Sequence, residues 1–144
     1  MTTSAPYRIE NLDVYRKSIA LGTQLYQAAG NGKAHSAVGE RLRENTLALV
    51  LNLASGLGFW EKQWKTSHFA ASKRAVMEMT PLLELMVALG EMPPDAEARY
   101  ATELQDLARM IGGLLRQSQR REAGDDGVPP APDGEAREPR ARYH

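Results

Sequence analysis

The stretch NLASGLGFWEKQW, Asn52 to Trp64, decides how the rest of this chain is read. It follows an apolar run, holds two glycines two positions apart and contains both tryptophans. One reading is a glycine loop that grips phosphate. The other is a joint between two helices. A dinucleotide fingerprint needs a third glycine, but Glu61 stands in its place. No strand–turn–helix context surrounds the pair, and no Walker lysine follows it. The joint is the better reading. Gly56 offers a left-handed end to one helix and Gly58 lets the chain reverse.

Working outward, both flanks carry helical period and no segment shows strand alternation. Upstream, a helix is expected from near Ser36 to Gly56, with Val38, Leu42, Leu49, Leu53 and Leu57 as its stripe. Leu47, Val50, Leu51 and Ala54 broaden that stripe. Downstream, a helix begins between Phe59 and Thr66 and ends at Gly90. Trp64, His68, Ala71, Ala75, Met79, Leu82, Met86 and Leu89 share one side, with Phe69, Val76, Leu83 and Val87 beside them. Pro81 falls inside this pattern, which continues in register on both sides, so a kink with resumption is expected.

Two further helices complete the set. The first spans Asn11–Ala29, with Asn11 as N-cap, Leu12, Tyr15, Ile19, Gly22, Tyr26 and Ala29 as its stripe, and Gly30 as a left-handed stop. The last follows Pro93, Pro94 and Asp95, a proline stop and restart, and runs to about Arg120. Its seam is Tyr100, Leu104, Leu107, Ile111 and Leu114. Short connections between four helices predict an all-α, antiparallel up-down four-helix bundle over 11–121. Residues 1–10 read as an N-terminal extension. Residues 122–144, rich in proline, glycine and charge, are expected to stay disordered.

Composition narrows the function. The chain has 144 residues, 18 bases and 18 acids. The balance is uneven: 122–144 carries six acids and three bases, leaving −3 on the tail and +3 on the body. There is no cysteine, so disulfides, iron–sulfur clusters and thiolate zinc sites are excluded. The N-terminus lacks an apolar signal core, and no apolar run approaches the roughly 20 residues that span a bilayer. A soluble, cytoplasmic protein with no membrane partner is expected.

No enzyme is expected either. The Glu-x-x-His ligand motif of di-iron bundles is absent, as are HExxH, GxSxG and a credible Ser-His-Asp grouping. No metal, cofactor or catalytic residue is assigned. His35, His68 and His144 are scattered, and His68 on an apolar face reads as a structural histidine. The bases form spaced clusters: Arg16 and Lys17, Arg41, Lys62 and Lys65, Lys73 and Arg74, and Arg120 and Arg121. In a monomer these make an ordinary solvated surface. In a symmetric ring they would repeat into a basic face for RNA or DNA phosphates. Trp60 and Trp64 cap one end of the bundle in one reading, and stack bases in another.

The second and third helices carry more apolar arc than one bundle needs, somewhat over 100° per helix. Self-association through them would bury the surplus. A covered central hairpin in a monomer is the alternative. Arg43 and Glu78 fall inside these apolar arcs. They either meet as a partly buried pair at a helix or subunit interface, or reach the surface separately.

These residues also carry a family likeness. RLRENTLALVLNLASG (Arg41–Gly56) resembles the second-helix signature of four-helix-bundle proteins encoded in ribosomal-RNA intervening sequences. Leu42-Arg43 match its opening, and Asn52-Leu53-Ala54 and Gly56 its Asn-Ile-Ala-Glu-Gly end, with Val50 at its usual proline and Ser55 at its glutamate. EMTPLLELMVALGEM matches the family's later helix through Glu78, Met79, Leu83, Leu89 and Gly90. ENLDVYRKSIAL and LARMIGGLLRQ, the latter through Arg109 and Gly113, fit as well, so the likeness spans about Ile9 to Gln117. The same family includes the accessory variability determinant of diversity-generating retroelements. The resemblance implies a homopentameric ring and, for the retroelement branch, binding of RNA and of a reverse transcriptase. The function expected is therefore a non-enzymatic oligomeric accessory or scaffold protein. The alternative is a protein-partner adaptor without nucleic-acid binding, its acidic tail recruiting or shielding.

Overall fold

The computed structural model describes residues 9–30, 36–58 and 62–125, with side chains over 13–30, 36–58 and 64–123. Helices α1 (Ile9–Gly30), α2 (Ala37–Gly58), α3 (Lys62–Ala88) and α4 (Pro94–Arg120) pack in sequence as an up-down bundle, and α4 ends in a π turn, Arg121–Asp125. The interface of α2 with α3 is the most extensive, followed by α3 with α4 and α1 with α2; α1 and α4 touch least.

The boundaries follow local chemistry. Ser36 caps α2: its hydroxyl accepts from the Gly39 N–H at 2.9 Å and donates to Glu91 Oε1 at 2.7 Å. That second bond ties the start of α2 to the connection between α3 and α4. Helix α3 passes through Pro81 without a break. It stops just before Gly90, whose φ of 77° is open to glycine at little cost. The N–H groups of Gly90 and Glu91 bond the carbonyls of Val87 and Met86, closing the last turn as a Schellman motif. Pro93 and Pro94 then start α4, with Asp95 and Glu97 on its positive end.

The core is built from one stripe per helix: Leu42, Leu49, Leu53 and Leu57 on α2, Phe69, Val76, Met79, Leu83 and Met86 on α3, and Tyr100, Leu104, Leu107 and Ile111 on α4. Each buried leucine contributes about 1.5–3 kcal/mol. Along the α2/α3 seam, Ser72 donates to the Leu49 carbonyl at 3.0 Å and Asn45 to the Ala75 carbonyl at 3.3 Å. Asn52 Oδ1 meets His68 Nδ1 at 2.8 Å. These bonds fix the register of the central hairpin, because a shift would strand buried polar groups.

Four expectations change. Helix α1 begins at Ile9, so Asn11 lies inside it and is not the N-cap. Its buried side is Val14, Ser18, Leu21 and Leu25, while Ile19 is exposed and Tyr15 and Tyr26 are half-buried. Bulk misled the reading: Ser18 fits the core because its hydroxyl bonds the Tyr15 carbonyl at 2.7 Å. Gly30 and Gly56 are helical, and among the described glycines only Gly90 has a positive φ. Their role is close approach. A Cβ would come within 2.6 Å of Arg43 Nη1 at Gly30, and of Phe69 Cε1 at Gly56. Helix α2 runs on to Gly58, so the reversal itself, with Phe59, Trp60 and Glu61, lies outside the described residues. So does most of the expected disordered tail.

Candidate nucleic-acid interface

Charge along α3 and α4 is segregated. From Lys62 to Arg74, α3 carries Lys62, Lys65, Lys73 and Arg74 and no acid; from Ala75 to Ala88 it carries Glu78 and Glu84 and no base. Helix α4 runs the opposite way. Between Asp95 and Asp106 it has four acids and Arg99; between Arg109 and Arg121 it has Arg109, Arg116, Arg120 and Arg121 and no acid. Because the helices are antiparallel, the two basic halves lie side by side at one end of the bundle and the acidic halves at the other.

Specific contacts bring the cations together. The Thr66 and Ser118 hydroxyls lie 2.6 Å apart and register the basic halves. Lys73 and Arg116 converge over bare backbone: a Cβ added at Gly112 would sit 3.4 Å from both Lys73 Nζ and Arg116 Nη1. Half-buried Lys65 donates to the Gly56 carbonyl at 3.0 Å. Burial first, and then the neighbouring Arg121 guanidinium, lower its pKa below the ordinary lysine range. Among the described residues, no carboxylate comes within 4.0 Å of Lys65, Lys73, Arg74, Arg116, Arg120 or Arg121.

Of the remaining sequence-chosen bases, Lys17, Arg16 and Arg41 do not join this face. Lys17 Nζ reaches across to α4 and pairs with Glu103 at 2.6 Å. Arg16 lies 4.0 Å from Asp13 on its own helix. Arg41 is exposed near the start of α2, at the acidic end. Lys62 opens α3 with its side chain outside the described residues, as is all of Trp60. Trp64 and His68 are half-buried, and His68 is held by Asn52.

Within one chain, Arg43 and Glu78 do not meet. Arg43 turns toward α1, stacks 4.4 Å from the Tyr26 ring centroid and donates from Nη2 to the Tyr26 hydroxyl at 3.1 Å. That hydrogen bond, against the opposing effect of burial, raises the guanidinium's pKa. Glu78 accepts from Asn45 at 3.1 Å on the other side of α2. A helix has room for both because α2 packs on α1 and α3 through different faces.

Arg116 was not chosen from sequence, where it stands alone between Leu115 and Gln117. The available signal was the paired Gly112-Gly113 one turn before it, which leaves α4 bare where Lys73 arrives.

Apolar surface is also unevenly placed. Leu47 and Leu51 on α2 are 49% and 62% exposed, Met77 and Leu85 on α3 are 60% and 49% exposed, and Leu89, just past the end of α3, is 56% exposed. A shallow groove of about 300 Å³ between α1 and α2 is lined by Ile19, Gly22, Tyr26, Leu47 and Val50, among others. Among the described residues, no helix is long and apolar enough to cross a membrane, and no three metal-ligating side chains converge.

No protein-family profile matches the chain, and no curated protein does. Among solved structures it matches a protein of unknown function from the S23 ribosomal protein family of Bacteroides thetaiotaomicron. The match has a TM-score of 0.69 at 9% identity, over 75% of this chain and 99% of the other. At that identity the likeness establishes a shared four-helix fold.

Proposed function

We propose that this protein is a non-enzymatic, self-associating four-helix scaffold whose α3/α4 basic half binds the phosphate backbone of nucleic acid. The observation that carries the reading is the juxtaposition of Lys65, Lys73, Arg116 and Arg121 with no carboxylate partner among the described residues. Cations held close together repel one another, and a polyanion relieves that repulsion while releasing its own counterions. Self-association is supported by the exposed leucines and methionines of α2 and α3, whose burial yields roughly 25 cal/mol per Å². The motif resemblance adds the finer reading: a ring of five, acting as accessory to a reverse transcriptase and its RNA.

Two measurements test this on the full chain. Light scattering at micromolar concentration should give a mass of several chains, reduced to one chain by Leu51→Glu with helicity intact. Fluorescence anisotropy should show polyuridine binding that weakens with salt, is lost in Lys73→Glu/Arg116→Glu and is kept in Arg41→Glu. A one-chain mass for the unaltered protein refutes the scaffold. RNA affinity equal in all three proteins refutes the basic face.

The second reading is a protein adaptor without nucleic acid. It is favoured by Met77, Leu85 and Leu89, an exposed apolar row flanked by Glu78 and Glu84. RNA-independent assembly with no measurable RNA affinity is its signature.

A further inference from the structure

The acids that follow α4 leave the bundle at its basic end. Helix α4 delivers the chain there through Arg120, Arg121 and the π turn Arg121–Asp125. From Glu122 to Glu138 the sequence then holds six acids and one base, Arg137. We propose that these acids act as a built-in competitor for the α3/α4 basic face, occupying it until a stronger polyanion displaces them; this rests on that face being the nucleic-acid site.

Three observations support the assignment. The first is charge complementarity between unpaired cations on the face and a run of carboxylates joined to it. The second is reach. Glu138 lies thirteen positions after Asp125, and a chain of that length extends at most about 45 Å. The basic half of α3, from Lys62 to Arg74, is only about 18 Å long. The third is attachment. A short tether sets an effective concentration on the order of millimolar, so individually weak ion pairs compete well. Elsewhere on the bundle, Lys17 already holds Glu103 and Arg109 holds Asp106. The shielding is electrostatic, so it fades as salt rises. Nucleic acid displaces the tail because its charge density is far higher than that of carboxylates spread along a peptide.

The experiment compares three full-length proteins binding labelled polyuridine at about 50 mM salt. One is unaltered. One carries Asp125→Asn, Asp126→Asn, Asp133→Asn, Glu135→Gln and Glu138→Gln. The third carries Glu40→Gln, Glu44→Gln, Glu84→Gln, Asp95→Asn and Glu97→Gln, which gives the same net charge from the opposite end. The proposal expects the tail variant to bind about tenfold tighter than the unaltered chain, the gap closing at high salt, and the third protein to gain far less. Equal tightening in the second and third proteins overturns it, because bulk charge then suffices. No tightening in either, with binding intact, overturns it while leaving the nucleic-acid reading in place.

Carbodiimide cross-linking gives an answer that does not need RNA affinity. It should join Lys65 or Lys73 to carboxylates between 125 and 138 in the unaltered chain, and added polyuridine should suppress the products. Absence of such cross-links overturns the proposal. If the cross-links form but no protein binds polyuridine, the tail contact stands and the proposed function fails.

Discussion

The two ends of the bundle use the same residue types to opposite purpose. Toward the middle and acidic end, several charged side chains are engaged: Lys17 with Glu103, Ser36 with Glu91, and Asn45 with Glu78. Arg109, at the border between the halves, is held by Asp106. At the basic end, Lys65, Lys73, Arg116 and Arg121 gather with no carboxylate within 4.0 Å among the described residues. Charges that serve a fold are paired or hydrogen-bonded, because unpaired ones in proximity cost free energy. Lys65 also donates to the Gly56 carbonyl; under the proposed function, a polyanion completes the cluster. The cost is visible in Lys65, where burial and Arg121 both oppose its proton.

Substitutions can break or sharpen this contrast. The largest effect should come from reversing Lys73 and Arg116 together. Polyuridine affinity is expected to fall about a hundredfold at low salt, close to 2.7 kcal/mol, while thermal stability holds or rises. A large loss of stability would show instead that the two cations serve the fold. Gly56→Val tests how the basic end is packed. The new Cβ would meet the buried Phe69 ring, and chemical denaturation should register a loss of about 1–3 kcal/mol. An unchanged midpoint would mean that the ring can turn aside.

Lys65→Met should weaken RNA binding about threefold with little change in stability at neutral pH. It also carries a pH signature. The folded-state pKa of Lys65 is lowered, so the unfolded chain binds more protons between the folded and unfolded values. This residue's contribution to stability therefore rises with pH across that window, up to the ordinary lysine range. Denaturation midpoints measured across alkaline pH should show that rise flattened in Lys65→Met. The smallest effect is expected at the acidic end. Lys17→Met removes a partly exposed pair and should cost under about 1 kcal/mol, leaving RNA affinity unchanged. A loss of RNA binding there would erase the distinction between the ends.

The fold was legible where apolar period was unambiguous. Tyr100, Leu104, Leu107 and Ile111 mark the α4 seam by their spacing and are buried. The joint reading of the two glycines agrees with helices on both sides of residues 59–61, although Gly56 itself serves Phe69 rather than a left-handed turn. Helix α1 is harder to read because Tyr15, Ile19 and Tyr26 outweigh Val14, Ser18 and Leu25 in bulk, and a serine that bonds its own helix leaves no trace in a hydrophobic pattern. The candidate site was half legible. Lys65, Lys73 and Arg121 stand out in the sequence as members of local clusters. Their union with Arg116 depends on which end of α4 lies beside which end of α3, and sequence spacing alone does not contain that. Lys17 shows the converse: a surface lysine by pattern, it is committed to a partner 86 residues away.

The most direct test of the basic face is the salt dependence of RNA binding by the full chain and by its Lys73→Glu/Arg116→Glu form. Each phosphate contact on a single strand contributes about 0.7 to the slope of log affinity against log salt. The account predicts a clear negative slope for the unaltered protein, and a slope shallower by about 1.4 or more once those two cations are reversed. A slope that is the same in both proteins, or no salt-dependent affinity in either, would contradict it.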